Sequence, residues 1–440
     1  MRPPFPTYHL PPTIERSLFM SKLAIHGGPK AVQTPAGDMF KWPIITEEDE
    51  QAALEVLRAG KMSGTDVTMQ FEKEFAQWHG LEYALGHNTG TAALHTAMFG
   101  CRVGVGDEII APSLTYWASA MPALALGATI VFAEVDPDTL CIDPKDIEHR
   151  ITKRTKAIVA VHYCSHPCDM DAIMEIANRH GVKVIEDVSH AHGALYKGRL
   201  VGTIGHVGAM SCMSGKSLAI GEGGMLVTND KEIFQRASAF GHYERTRKDM
   251  DNPELAPLAG LPLGGVKYRM HQISSAVGRV QLKYYEGRMA VIQRAMNHFW
   301  DALEGVPGIK AHRPSKASGS TMGGWYAAHG LYRPEELGGL SIQKFAEAVR
   351  AEGGTCSPGA NFALHLHPVL NEADVYGHGR PTRNAHTERD VRQGPGSLPV
   401  TESMQERVYS IPWFKHYRSE VIEEHAAAYR KVAAHADELR

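Results

Sequence analysis

The chain is predicted to fold as an α/β protein with a mainly parallel sheet, and three observations carry that expectation. Short runs rich in valine and isoleucine recur at 108–112, 129–135, 157–162 and 182–187. They are apolar on both faces, as strands buried in a parallel sheet are. Segments of helical period lie between them, with no domain-breaking linker before about residue 285.

Taken in order, residues 47–59 have helical spacing and stop at Gly60. A second helix is expected over 70–79, a short strand from Tyr83, and an apolar helix over 91–99 behind a small-residue turn. A helix over 169–180 separates the strands at 157–162 and 182–187. Residues 207–213 read as a short apolar strand, and 221–228 as a turn running into another. Beyond 285 strand signals thin out: a long helix over 276–303, a helix over 342–351, a loop over 371–398 rich in Gly, Pro, Arg, His and Asn, and a closing helix over 421–439. The expected organisation is a large α/β domain over 23–285 and a smaller α+β domain over 286–440. Residues 1–22 carry prolines where a signal peptide needs an unbroken apolar run. They read as a disordered extension, with Met20 as an alternative start.

Composition narrows the function classes. The 46 basic residues nearly balance the 49 acidic ones, which recommends neither nucleic acid nor an anionic membrane as partner. No run of about 18 apolar residues is present. A small-molecule partner is expected. Six cysteines without a CxxC pair suggest reduced thiols in a cytoplasmic protein. His162, Cys164, His166 and Cys168 cluster, but their spacing fits no standard zinc knuckle, and no metal is expected.

Ligands of open parallel sheets bind beyond the carboxyl ends of strands, so the residues just after each strand matter most. Four such places converge. The turn from His87 through Asn88, Thr89, Gly90 and Thr91 opens a helix whose first N–H groups suit one phosphate, although Thr-Gly-Thr is also a good helix cap. The run Pro112 to Trp117 offers Tyr116 or Trp117 as a plate for an aromatic ring, with core packing as the alternative. The strand at 182–187 ends in Asp187, either a helix cap or the carboxylate that a protonated pyridine nitrogen needs. Lys216 sits between two apolar strands among serines and glycines, a candidate for a desolvated, nucleophilic amine. Phosphate cradle, aromatic plate, strand-end Asp and glycine-flanked Lys together make the parts of a pyridoxal 5′-phosphate site.

At these residues the chain resembles the DegT/DnrJ/StrS family of fold-type I aminotransferases, which act on keto-sugars and cyclitols. The resemblance runs from about Leu23 to the C-terminal helix. It is strongest at Thr89-Gly-Thr-Ala-Ala-Leu, at Ile185-Glu-Asp-Val-Ser-His-Ala-His-Gly-Ala, across 211–224, and from Tyr268 to Gly278. It implies a seven-stranded-type sheet in the large domain. It also implies that Lys216 is the Schiff-base lysine, Asp187 the pyridinium partner, and Gly90, Thr91 and Ser211 the phosphate ligands. Tyr116 matches the ring-stacking position and His190 the position near the cofactor's phenolic oxygen. The family shares its active sites across a homodimer, which implies that Lys267, where relatives usually carry Asn, reaches the neighbouring copy's site. The segment from Asn361 to Pro368 matches a stretch bordering the substrate, making His365 and His367 substrate candidates, with loop-capping histidines as the alternative. The implied activity moves an amino group from glutamate or glutamine to a keto-sugar, free or nucleotide-linked, or to a keto-cyclitol. A runner-up is a family member that binds the cofactor without transamination, a dehydratase or a sensor. Retention of Lys216 speaks against the dehydratase.

Overall fold

In the computed structural model, residues 21–245, 250–261 and 263–440 are described. The expectations for residues 1–20, including the start at Met20, lie outside them.

The short strand expected from Tyr83 becomes β1 (Tyr83–His87), and the valine- and isoleucine-rich runs become β2 (Glu108–Pro112), β3 (Thr129–Ala133), β4 (Thr155–Val161) and β5 (Lys183–Asp187). A two-residue hairpin follows, β6 (Leu195–Tyr196) with β7 (Arg199–Leu200), then β8 (Val207–Ser211) and β9 (Gly224–Thr228). Seven of these form one sheet in the order β1-β9-β8-β5-β4-β2-β3. The pairs β5–β8, β4–β5, β2–β4 and β2–β3 are parallel, and only β9 runs against its neighbours. The mainly parallel sheet expected from the sequence is therefore present, buried between helices.

Helix boundaries follow local capping. The first helix, Glu47–Arg58, starts at Thr46, whose side chain and that of Asp49 form a capping box. The helix Asp66–His79 starts four residues earlier than its apolar period suggests and ends at the left-handed Gly80. Met170–His180 is capped by Asp169 and stopped by Gly181.

A second sheet lies toward the C-terminus: β10 (Ile309–Ala311), β11 (His329–Tyr332), β12 (Ser357–Pro358) and β13 (Val408–Ser410), all antiparallel in the order β10-β11-β13-β12. With two to four residues each, these strands are too short to show a period of two. They cover a second core containing Phe299, Trp300, Phe345, Tyr409 and Tyr429. The helix Gln272–Asp301 joins the cores: Leu282 and Tyr285 pack in the first, Ile292 to Trp300 in the second. The expected boundary at 285/286 thus falls inside a continuous helix. Leu23 and Met39 also pack in the second core. We propose a division in which this helix is shared and the chain around Leu23 to Met39 belongs with the smaller part.

Candidate active site

Sheet register brings the sequence-distant pieces together. Val161, Asp187 and Ala209 are aligned across β4, β5 and β8, so the carboxyl ends of these strands open side by side. On the other side of β9, His87 pairs with Gly224, which sets the turn after β1 next to the end of β8. Contact there is close enough to need glycine. A Cβ on Gly90 would lie 2.5 Å from Ser211 Cβ, and one on Gly224 would lie 2.3 Å from the Thr89 carbonyl oxygen. The result is a cavity of about 420 Å³ lined by Gly90, Thr91, Tyr116, Asp187, His190, Ser211 and Lys216 among others.

Lys216 is 8 % exposed and sits in the connection from β8 to β9. Its backbone is held at both ends, the N–H donating to Met213 O at 2.8 Å and the carbonyl accepting from Trp42 Nε1 at 2.8 Å. The ammonium has no carboxylate within ion-pair distance among the described residues; Nζ lies 3.9 Å over the Tyr326 ring. Burial lowers its pKa to about 8, against the Asp187 carboxylate, which pulls it up.

Asp187 ends β5 and is nearly buried. Ser119 Oγ donates to its Oδ2 at 2.7 Å and the Ser189 N–H donates to Oδ1 at 3.0 Å. Thr115 Oγ1, 2.9 Å from Ser119 Oγ, completes the relay. Facing it, the helix Gly90–Gly100 begins with its N-cap Thr89 accepting from the Ala92 N–H at 3.0 Å. The Gly90 and Thr91 N–H groups head that helix, beyond the reach of any intrahelical acceptor. Ser189 Oγ receives the Ser211 N–H at 3.0 Å, tying both serines to the same rim.

His190 Nδ1 accepts the Cys164 N–H at 3.2 Å, so its proton sits on Nε2. Burial and the nearby Lys216 hold its pKa well below the usual range, leaving the ring neutral. Tyr116 is half exposed at the mouth, tilted against Trp117.

Two expected site residues, His365 and His367, are not in this cavity. Lys267, expected to serve a neighbouring copy's site, lies at the surface of its own chain, its Nζ 2.8 Å from Glu244. His365 is fully buried with both ring nitrogens engaged, Nδ1 with Ser113 Oγ at 2.8 Å and Nε2 with Glu402 at 3.0 Å. His367 is exposed and accepts the Val369 N–H at 3.2 Å as the cap of a short helix. The structural reading fits His365, whose ring nitrogens are both engaged, and the capping reading fits His367, whose Nδ1 accepts the Val369 N–H. Ser119, Ser189, Tyr326 and Asn361 do line the cavity and were missed. Ser189 had a signal, two residues after a strand-end Asp, the spacing of an Asx turn. Asn361 opens the very segment whose histidines drew attention. The suspected cluster is also otherwise occupied: His162 Nε2 lies 3.0 Å from Glu186, and the Cys168 thiol donates to Val161 O at 3.1 Å.

The donor set fits pyridoxal phosphate. A helix N-terminus and two serines meet a phosphate, a buried carboxylate meets a ring nitrogen, and a buried amine without an ion pair meets an aldehyde.

Comparison with known proteins bears on the same residues. Residues 43–429 match the model of the DegT/DnrJ/EryC1/StrS aminotransferase family. The chain is 33 % identical over 440 residues to an L-glutamine:scyllo-inosose aminotransferase of Streptomyces griseus, covering 95 % of this chain and 99 % of that one. It is 34 % identical over 344 residues to an L-glutamine:2-deoxy-scyllo-inosose aminotransferase of Streptomyces kanamyceticus, covering 76 % and 79 %. The fold is similar to the crystal structure of an aminotransferase from Psychrobacter cryohalolentis, with a TM-score of 0.76, 30 % identity, and coverage of 88 % and 97 %.

Proposed function

The chain belongs to the DegT/DnrJ/EryC1/StrS aminotransferase family and is a transaminase, and from that premise we propose that it moves the amino group of glutamine to a keto-cyclitol, with pyridoxal phosphate as cofactor. The names of the two cyclitol aminotransferases support glutamine over glutamate and a cyclitol over a sugar. The observation that carries the reading is Lys216, buried and without an ion pair, facing the same cavity as Asp187.

In this reading the Gly90 and Thr91 N–H groups, with Ser189 and Ser211, hold the phosphate. Asp187, fixed by Ser119 and the Ser189 N–H, holds the proton on the ring nitrogen. Lys216 would anchor the cofactor covalently. Tyr116, at the mouth, would cover the ring, and His190, with its proton on Nε2, would supply a donor for the phenolic oxygen. When bound, pyridoxal phosphate supplies an electron-accepting ring for the charge that develops at the substrate carbon. Lys216 Nζ would then do the proton work, taking the proton from the donor Cα. Its lowered pKa keeps a substantial neutral fraction near pH 8, which a solvated lysine lacks. In the second half the same amine returns a proton to the former ketone carbon.

We place two further family features here as proposals: a homodimer in which Lys267 of each copy reaches the other's cavity, and a cytoplasmic location. Among the described residues no helix is long and apolar enough to cross a membrane, and every cysteine is a free thiol.

The test is spectroscopic. Purified protein mixed with pyridoxal phosphate is expected to develop a visible band that glutamine bleaches and that Lys216→Ala never forms. A wild-type chain that binds cofactor but whose band ignores glutamine is a binder, and the reading fails.

A further inference from the structure

Beside the main cavity lies a second chamber of about 310 Å³, at the small-ligand end of the usual range. The two share His190, Ala327 and Asn361 as a common wall. Two turns meet at this wall with non-glycine residues in the left-handed region, Cys164 and Ser165 at φ 48° and 72°, Trp325 and Ala327 at φ 57° and 54°. Ser165 Oγ stitches them together, 2.5 Å from the His190 carbonyl oxygen and 3.1 Å from that of Tyr326. Backbone held this way against its preference is concentrated at ligand sites.

The chamber is polar but carries no Lys, Arg, Asp or Glu among its described lining residues. Its hydrogen-bonding groups are fixed by their neighbours. Tyr163 OH donates to Asn361 Oδ1 at 2.6 Å and accepts the Asn361 N–H at 3.2 Å, which leaves the Asn361 Nδ2 hydrogens to donate. His329 Nδ1 is 2.5 Å from the Ala327 carbonyl oxygen, so it carries the proton and Nε2 is left to accept. Burial keeps His329 neutral by lowering its pKa.

We propose that this chamber is the acceptor subsite, and that it takes a free, uncharged polyhydroxylated ring ketone, with Asn361 and His329 as its specificity-determining residues. The proposal rests on the transaminase reading and deepens it. A hydroxyl both donates and accepts, which matches one fixed donor and one fixed acceptor. A nucleoside diphosphate asks for Arg, Lys or a helix N-terminus, and the chamber's described lining offers none of these. The α-carboxylate of glutamine likewise finds no cationic partner in the chamber. The chamber is therefore suited to the ketone's ring rather than to the donor's carboxylate.

The test separates the two halves of the reaction in the holoenzyme. Bleaching of the cofactor band by glutamine reports the donor half; recovery of the band from the aminated form with scyllo-inosose reports the acceptor half. Asn361→Ala and His329→Leu are expected to raise the half-saturating concentration of scyllo-inosose by about 3- to 10-fold, and to leave that of glutamine within about twofold. His329→Gln, which keeps a side-chain acceptor, is expected to recover most of the loss. Myo-inositol, which has no ketone, is expected to compete with scyllo-inosose in the wild type and to weaken in the variants; UDP is expected not to compete. Competition by UDP, preference for a nucleotide-linked keto-sugar, or variants that weaken glutamine as much as the ketone would overturn the assignment. A normal acceptor half in both variants would do so as well. If glutamine fails to bleach the wild-type band, it is the transaminase reading that has failed.

Discussion

Lys431 and Lys216 are both buried, one in each core, and they differ in what surrounds the amine. Lys431, in the closing helix, donates to Glu352 Oε2 at 2.9 Å and to the Pro29 carbonyl oxygen at 2.8 Å. Glu352 is in turn saturated by the N–H groups of Ala24 and Ala31. The pair therefore fastens the start of the described chain to the second core. Lys216 has an aromatic face and a carboxylate beyond ion-pair reach, and its pKa has fallen to about 8. A buried charge paired with a buried counter-ion is structure. One left short of partners next to a cavity is held in readiness for a ligand, at a cost in stability.

The largest effect expected from this contrast is on turnover. Lys216→Ala removes both the cofactor anchor and the proton carrier, and kcat is expected to fall by about four orders of magnitude or more. Its unfolding midpoint in urea stays close to wild type, because the lost amine had no ion pair to break. A variant that unfolds markedly earlier would show Lys216 to be structural and erase the contrast. Glu352→Ala is the mirror experiment. Stranding Lys431 without its partner is expected to destabilise the fold by about 3–5 kcal/mol. At temperatures where it stays folded, kcat/KM is expected to remain near wild type.

A subtler prediction concerns pH. Burial lowers the Lys216 pKa and Asp187 opposes it, so the neutral amine is gained as pH rises through about 8. The rate at which the apo-protein couples to pyridoxal phosphate should follow the same rise. Asp187→Asn removes the opposing charge. The inflection is then expected to move to lower pH, and a move to higher pH would show that the Asp187 carboxylate does not hold the lysine pKa up.

The same contrast explains what the sequence made legible. The parallel sheet was legible because buried strands are apolar on both faces. Lys216, Asp187 and the Thr89 turn were legible because strand ends and glycine flanks have a local signature. His365 and His367 were read as substrate candidates with loop-capping as the alternative, and the fold favours the alternative, which residue type could not do because it says nothing of partners. Ser113 and Glu402 lie 252 and 37 residues from His365 in the chain, and only the fold brings them to its ring. Tyr326 carried no local signal, and Asn361 was passed over within a segment whose histidines drew attention; only the fold brings both to the cavity wall.

The smallest expected effect tests that last distinction at its weakest point. His367 is exposed, so its place outside the cavity rests on one capping bond to Val369 and on the geometry of a single copy. If capping is its whole role, His367→Ala lowers stability by about 0.5–1 kcal/mol and leaves the half-saturating concentration of the ketone unchanged. His367→Asn, which keeps a capping side chain, restores the stability. A shift of more than about threefold in the acceptor half-reaction, with stability intact in the Asn variant, would require a second way for this side chain to meet the ketone. The same measurement on mixtures of His367→Ala and Lys216→Ala chains would reveal whether the side chain serves its own cavity or, in the proposed dimer, that of the other copy.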